Sequence, residues 1–434
     1  MPVELRWPGK DDRPLLPEEP PEAPRLTERR GEAPDNLLIH GDNLRVGSWL
    51  RGAYEGKVEL IYLDPPFATG TRFSLTSALG DGTRAAFEIE AYDDRLDEPG
   101  LFLASLAPRL ALAHRLLAPE GLLFLHLDAR ASHGAKLLLD EIFGPRSFRG
   151  EIIWLPGNGA KRRSFFSLQH QTILAYSRGD SWVFHEQDPS LREPFAPGSL
   201  KSHFRHVDDQ GRRFRRRVVN GKEYIYYADE GRRVGSVWAD LPAMAAGSPV
   251  VGESTGYPTQ KPLALLERIL LACSRPGALV ADLCCGSGTT LVAAQRLGRR
   301  WLGCDIGALA VHTVRKRLLD LPDAPFSLLR FPSAPPSAPS LRASASQGPE
   351  GVQVSVEDFH TEGPRGPGGV ELLDAWSVGL LEGDVFVEQW SVSRSRKRRE
   401  LPLRSPVLQL PEGKRLAAQA YDVLGRPCLQ ELHG

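Results

Sequence analysis

Asp64, Pro65, Pro66 and Phe67, in the stretch LIYLDPPFATG, bring together a carboxylate, two rigid imides and an aromatic ring. Leu60 to Leu63 reads as a buried strand, and the prolines cannot continue its ladder, so the carboxylate is delivered at a strand end. A carboxylate acceptor, a backbone carbonyl fixed in direction by proline and an aromatic face suit a planar substrate that bears an exocyclic amine. Asp64 and the Pro65 carbonyl would each take one amine hydrogen while Phe67 stacks on the ring. The lone pair of such an amine is delocalised into its ring. Holding both hydrogens in near-tetrahedral directions localises that pair and aims it at an electrophile, a gain of orientation and preorganisation. In isolation the tetrapeptide reads equally as a polyproline turn after a strand.

A second stretch, VADLCCGSGTTLVAA, places Gly286 and Gly288 in a turn between a strand and a helix. Glycines let the backbone approach a ligand closely, as in dinucleotide-binding turns. Further on, WLGCDIG ends the next strand on Asp305, suitably placed for a ribose diol. No Lys-Ser/Thr pair follows the glycines, which disfavours a phosphate-cradling loop. A cofactor with adenosine and no phosphate, S-adenosylmethionine, fits better. A plain strand-to-helix turn with a capping aspartate would look the same alone. The two stretches together argue against both plain readings.

The elements that must position these residues are legible as texture. NLLIHGD, VELIYLD and GLLFLHLD are short apolar runs closing on aspartate, and between the last two lies a leucine-periodic helix, LFLASLAPRLALAHRLLAPEG. EIIWLPG and HQTILAYSR read as further strands. Alternating strands and helices predict an α/β, mostly parallel sheet with ligands beyond the carboxyl ends of the strands. Residues 1–34, rich in Pro, Glu and Arg, read as a flexible N-terminal arm. Residues 35–330 form the α/β domain, with an insert at about 180–255 that breaks the rhythm. Residues 331–350 read as a Pro/Ser/Ala linker and 351–434 as a small β domain.

Formal net charge is zero, so a polyanionic partner has to be sought in local charge. Within 201–235, ten Lys or Arg face five Asp or Glu, interleaved with Phe204, Phe214, Tyr224, Tyr226 and Tyr227. The five cysteines lack the spacing of a zinc site or a disulfide scaffold, so no metal is expected and a reducing cytoplasm is the expectation. The first residues lack the apolar core of a signal peptide, and no apolar run reaches the length of a membrane span.

GDN, LIYLDPPF, GYPTQKPLALLERIL, ADLCCGSGTT and GCDIG, in this order, resemble the amino-methyltransferases of DNA that act on adenine N6 or cytosine N4. The catalytic tetrapeptide precedes the glycine loop, as in the permuted β-class. The surroundings are similar to modification subunits of type III restriction systems. The resemblance implies the S-adenosylmethionine-dependent, Rossmann-like methyltransferase fold, with a β-sandwich-like appendix at the C-terminus. It assigns Asp64, Pro65, Pro66 and Phe67 to catalysis. Asp282, Gly286, Gly288 and Thr289 become the methionine-side loop, which a β-branched residue at Gly288 is expected to crowd. Asp305 takes the ribose, Asp42 lies near the cofactor adenine, and Thr259, Gln260, Lys261 and Pro262 cover the methionine end. Leu283, Cys284 and Cys285 depart from the family pattern but are small or apolar, and a modest effect on cofactor affinity is expected.

The resemblance places target recognition in the insert, where Arg212, Arg213, Arg215, Arg216 and Arg217 are the candidate DNA contacts. SRSRKRRE, residues 393–400, is either a further backbone contact or a charged surface loop. The implied activity is adenine N6 methylation of double-stranded DNA in a restriction-modification or phage-defence setting. N4-cytosine methylation and a catalytically idle DNA-binding subunit stay open, and a small-molecule or protein amine methyltransferase is disfavoured by the basic insert. A separate restriction subunit and a homodimer are the further partners the resemblance allows.

Overall fold

Leu37–His40, Val58–Leu63, Leu117–Asp128, Leu279–Asp282, Arg300–Asp305 and Phe326–Arg330 are strands of one 14-stranded sheet. The computed structural model describes residues 5–7, 10, 16, 22–32, 35–66, 71–78, 86–94, 99–157, 164–244, 247–332, 338–363, 366–395, 398–411 and 413–433. Those strands pair in parallel, and burial on both faces accounts for their near-continuous apolar sequences. Their order in space is Leu117–Asp128, Val58–Leu63, Leu279–Asp282, Arg300–Asp305, Leu37–His40, Phe326–Arg330. Gln171–Ser177 and Phe148–Trp154 extend the first edge in antiparallel fashion.

Side chains alternate between the two faces of each strand. Ile61, Leu63 and Ala281 point into a core shared with Val46, Leu50, Leu106, Leu110 and Leu138 of the helices Asn43–Tyr54, Pro99–Leu116 and Ser132–Phe143. Leu60, Tyr62 and Val280 point the other way, toward Leu266, Ile269, Leu291, Val311 and Val314 of Leu263–Cys273, Thr289–Arg296 and Ala308–Leu319. One half of the chain thus covers one face and the other half covers the other. Among the described residues no helix is long and apolar enough to cross a membrane.

Two stretches differ from their sequence reading. Inside residues 1–34, Arg25–Arg30 is a strand, antiparallel to Phe326–Arg330 and parallel to Val385–Ser393. Its charged sequence RLTERR hides it, because its partners are remote in sequence: Arg29 pairs with Glu382, Arg30 donates to the Leu318 carbonyl, and Glu28 is buried against Arg315. Inside residues 331–350, Ser340–Gly348 is a strand antiparallel to Gly351–Gly363, with Ala343 in the core and Leu341 and Ala345 packed against it. Its small residues alternate in and out, a pattern that reads as linker by composition alone.

The insert is rooted in the main core through Leu191, Trp238, Leu241 and Ala243, and carries an antiparallel hairpin, Arg213–Val219 with Lys222–Tyr227. At the C-terminus, Leu373–Glu382, Val385–Ser393, Arg415–Asp422 and Pro427–Leu432 continue the large sheet. The Ser340–Gly363 hairpin packs over them around Trp376, Val354 and Phe359, which gives a sandwich-like layer.

A buried polar cluster fastens this layer to the α/β domain. Arg315 and Glu28 are both fully buried; the guanidinium donates to Glu28 and to Ser377 Oγ, and the Tyr421 hydroxyl donates to Glu28 at 2.7 Å. His312 and Lys316 of the same helix both reach Asp374. Removing one member of a buried pair leaves an uncompensated charge, at a cost of about 3–5 kcal/mol. Arg315→Met is therefore expected to lower unfolding stability by about that amount in urea denaturation, whereas Arg315→Met with Glu28→Gln should recover much of the loss. Equal losses in the single and double variants would show that no charge coupling exists there.

Candidate active site

The parallel register sets Leu60 beside Val280 and Ile61 beside Ala281, so Asp64 and the glycine loop leave adjacent strands at the same edge. Asp282 pairs with Gly303 and Asp305 with His40, which brings the ends of the two further strands alongside. A cavity of about 290 Å³ opens there, lined by Asp42, Asp64, Pro65, Pro66, Asp282, Gly286, Thr289 and Asp305, and by Thr259, Gln260 and Lys261. Phe67 lies outside the described residues.

Local chemistry explains the turn. Gly286 and Gly288 have φ of +49° and +75°, which side-chain-bearing residues rarely adopt. Asp305 accepts from the amides of Gly286 and Gly307, each at 2.8 Å, and so ties the loop to its neighbouring strand. Asp282 accepts from the Cys284 amide at 3.1 Å, and burial pushes its carboxyl up to about 7. Asp42 caps the helix Asn43–Tyr54 through the amides of Leu44 and Arg45, and also takes the Arg109 guanidinium at 3.2 Å. Thr289 donates its hydroxyl to the Lys261 carbonyl, and the Lys261 ammonium pairs with Asp64.

The lining has a clear charge character. Asp42, Asp64, Asp282 and Asp305 all border the cavity. The neighbouring cations are engaged by the chain itself: Arg109 by Asp42 and Asn43, Lys261 by Asp64, and Arg317 by the Ser287 carbonyl and Thr289 Oγ1. Such an acceptor set suits hydroxyls, an amine or a cation and repels phosphate, so these residues fit a sulfonium nucleoside. Two residues of the expected set do not line the cavity. Pro262 caps the helix Leu263–Cys273. A Cβ on Gly288 would lie 2.6 Å from Val314 Cγ2, so a side chain here would clash with the neighbouring helix.

Sequence reasoning passed over Asn43, Arg109, Tyr257 and Ile306, which line the same cavity. The signal for Arg109 was present, as a lone arginine on an otherwise apolar stretch of its helix. Cys284 and Cys285 also line it, and burial raises both thiols, which favours the inert form.

The arginines of the insert divide into two groups. Arg212 pairs with Asp229 and Glu230 and stacks on Tyr227; Arg213 donates to the carbonyls of Leu200 and Phe204. Arg215 lies over the rings of Phe195, Phe204 and Tyr226. Arg216 and Arg217 are exposed on the outer part of the hairpin, with Glu223 at 3.6 Å from Arg216. In the second basic cluster, Arg394 donates to the carbonyls of Val370 and Glu371 and so serves the fold.

Residues 58–316 match the N6_N4_Mtase family model, described as DNA methylase. The type II methyltransferase M.EcaI of Enterobacter cloacae is 30% identical over 329 residues, which are 65% of this chain and 69% of that protein. The EcoP15I Mod subunit of a type III restriction-modification enzyme of Escherichia coli is 30% identical over 208 residues, 44% of this chain. The chain spans only 32% of that subunit's length. The DNA adenine methyltransferase YhdJ of Escherichia coli K12 is 26% identical, over 65% of this chain and 82% of that protein.

Gly288→Ala is expected to destabilise the fold by about 2–3 kcal/mol, from left-handed backbone strain and the clash with Val314. Adding Val314→Ala should restore the clash share and leave the strain, as read by urea unfolding with and without S-adenosylmethionine. If Val314→Ala restores nothing, the crowding lies on the ligand side of the turn.

Proposed function

The chain belongs to the N6_N4_Mtase family of DNA methylases, and from that membership we propose that it transfers a methyl group from S-adenosylmethionine to the N6 amine of adenine in double-stranded DNA. The observation that carries the reading is the convergence of Asp64 and Pro65 with the glycine loop and Asp305 in one acid-lined cavity. Names among the relatives support adenine, restriction-modification and, through the type III subunit, a separate restriction partner. In that setting the chain would work in the cytoplasm.

When bound, the cofactor supplies an electrophilic methyl on a sulfonium. Gly286 and Thr289 would hold its methionine end, Asp305 its ribose, and Asp42 would face its adenine. Asp64 accepts one hydrogen bond from the target amine and the Pro65 carbonyl the other, which localises the nitrogen lone pair. Asp64 would take the proton that the amine nitrogen gives up as it gains the methyl group. Phe67 would stack on the extruded base.

Support for DNA comes from charge and exposure. The hairpin's outer residues Arg216, Arg217 and Lys222 are exposed beside the exposed apolar residues Val218, Tyr224 and Ile225. Phe165 and Phe166 are 73% and 83% exposed in the segment that follows the carboxyl end of Phe148–Trp154, the same edge of the sheet as Asp64. Exposed aromatic rings near a catalytic edge suit base stacking.

Two outcomes are expected. Asp64→Ala should lower tritium transfer to DNA by about 10²–10⁴-fold while S-adenosylmethionine affinity in calorimetry stays near wild type; turnover within a few fold of wild type would remove the amine-activation step. Arg216→Ala with Arg217→Ala should flatten the slope of log affinity against log salt by about one to two, because each lost phosphate contact removes about one unit. Arg212→Ala should leave that slope unchanged, since Arg212 is held by Asp229 and Glu230. The reverse pattern would place the DNA contact at the hairpin base.

A further inference from the structure

The family resemblance assigns Lys261 to the cover over the methionine end of the cofactor, and in the structure its ammonium also engages the end of the catalytic strand. It forms an ion pair with Asp64 Oδ2, with the two side chains 8% and 19% exposed. The loop that carries Lys261 is held on all sides. Gln260 Oε1 accepts from the Thr255 amide at 2.9 Å and from its hydroxyl at 2.8 Å, while Gln260 Nε2 donates to the Glu253 carbonyl at 2.9 Å. Thr259 adopts φ +57°, and the Lys261 carbonyl receives the Thr289 hydroxyl at 3.1 Å. Lys261 therefore touches the cofactor loop with its backbone and the catalytic strand with its side chain.

We propose that Lys261 is a positioning residue of the methyl-transfer step, holding the Asp64 carboxylate ionised and aimed into the cavity. This rests on the reading of Asp64 as acceptor of the target amine and its proton. A protonated Asp64 could accept neither well. Carboxyls stand near it: Asp282, which feels the Asp64 charge, ends the adjacent strand, and Asp305 ends the strand beyond. From its own strand comes Tyr62, whose hydroxyl bonds His126 Nδ1 at 2.6 Å. Burial keeps both of these neutral, raising the phenol and lowering the imidazole, so that pair supplies no balancing charge. Arg109 and Arg317 are engaged by Asp42, Asn43, Ser287 and Thr289. The ammonium of Lys261 is in direct contact with Asp64, and an opposite charge in contact lowers a carboxyl's affinity for protons.

The sign follows. With Lys261 present, the contact with its ammonium favours the ionised form of Asp64. Without it, the acid limb of the rate moves up in pH. The test is the pH profile of kcat on DNA for the wild type, Lys261→Met and Lys261→Arg, with KM for S-adenosylmethionine measured alongside. Lys261→Met should shift the acid limb upward by about one unit or more, a tenfold loss of kcat for each unit on that limb, with KM changed by less than about threefold. Lys261→Arg, which keeps the charge, should restore the limb toward its wild-type position. Where Lys261→Met loses its native circular-dichroism spectrum, Lys261→Gln provides the neutral variant. An unmoved acid limb in the folded neutral variant, with KM for the cofactor raised, overturns the proposal and returns Lys261 to the cofactor cover. Absence of DNA methylation by the wild type would instead overturn the functional reading on which the proposal rests.

Discussion

The pairing of Val58–Leu63 with Leu279–Asp282 is the constraint on which the site depends. These strands come from opposite halves of the chain, and only their parallel register puts the Asp64 elbow beside the glycine turn. Because side chains alternate along a strand, a slip of one residue would turn Leu60, Tyr62 and Val280 out of one core and into the other. The two apolar cores, one beneath each set of helices, hold the register against such a slip. Packing of the sheet and placement of the carboxylates are thus one problem with one solution.

From that edge follows the electrostatic character of the cavity. Carboxylates arrive at the ends of neighbouring strands, and burial raises Asp282 and Asp305 toward their neutral forms. The chain offsets this locally, with Arg109 on Asp42, Lys261 on Asp64, and backbone amides on Asp282 and Asp305. A sulfonium nucleoside complements such a surface and a phosphate does not. The helix Ala308–Leu319, which follows the Asp305 turn, carries this order outward by clamping Arg315 onto Glu28 and the C-terminal layer.

Much of this was legible in the sequence, for physical reasons. Strands buried on both faces must be apolar throughout, and their ends are marked by Asp64-Pro-Pro, by the glycines and by Asp305. Gln260 and Lys261 were found through resemblance, and their hydrogen-bond partners had to come from the fold. Arg25–Arg30 was hidden because Glu28, Arg29 and Arg30 are satisfied by groups hundreds of positions away, namely Arg315, Glu382 and the Leu318 carbonyl. Ser340–Gly348 was hidden because alanine and serine carry little hydrophobic contrast. The closeness of Gly288 to Val314 is a contact between two helices that no local pattern encodes. The arginines of the insert looked alike in sequence, and only their neighbours separate Arg212, Arg213 and Arg215 from the exposed Arg216 and Arg217.

We propose that the Asp64 elbow and the glycine loop together methylate the exocyclic amine of adenine in DNA. Single-molecule modification sequencing of DNA from cells that express the chain, beside cells that do not, tests it most directly. The expected result is N6-methyladenine confined to one sequence context and dependent on expression. N4-methylcytosine in its place, or DNA with no added mark from a chain shown to be folded and to bind S-adenosylmethionine, would contradict it.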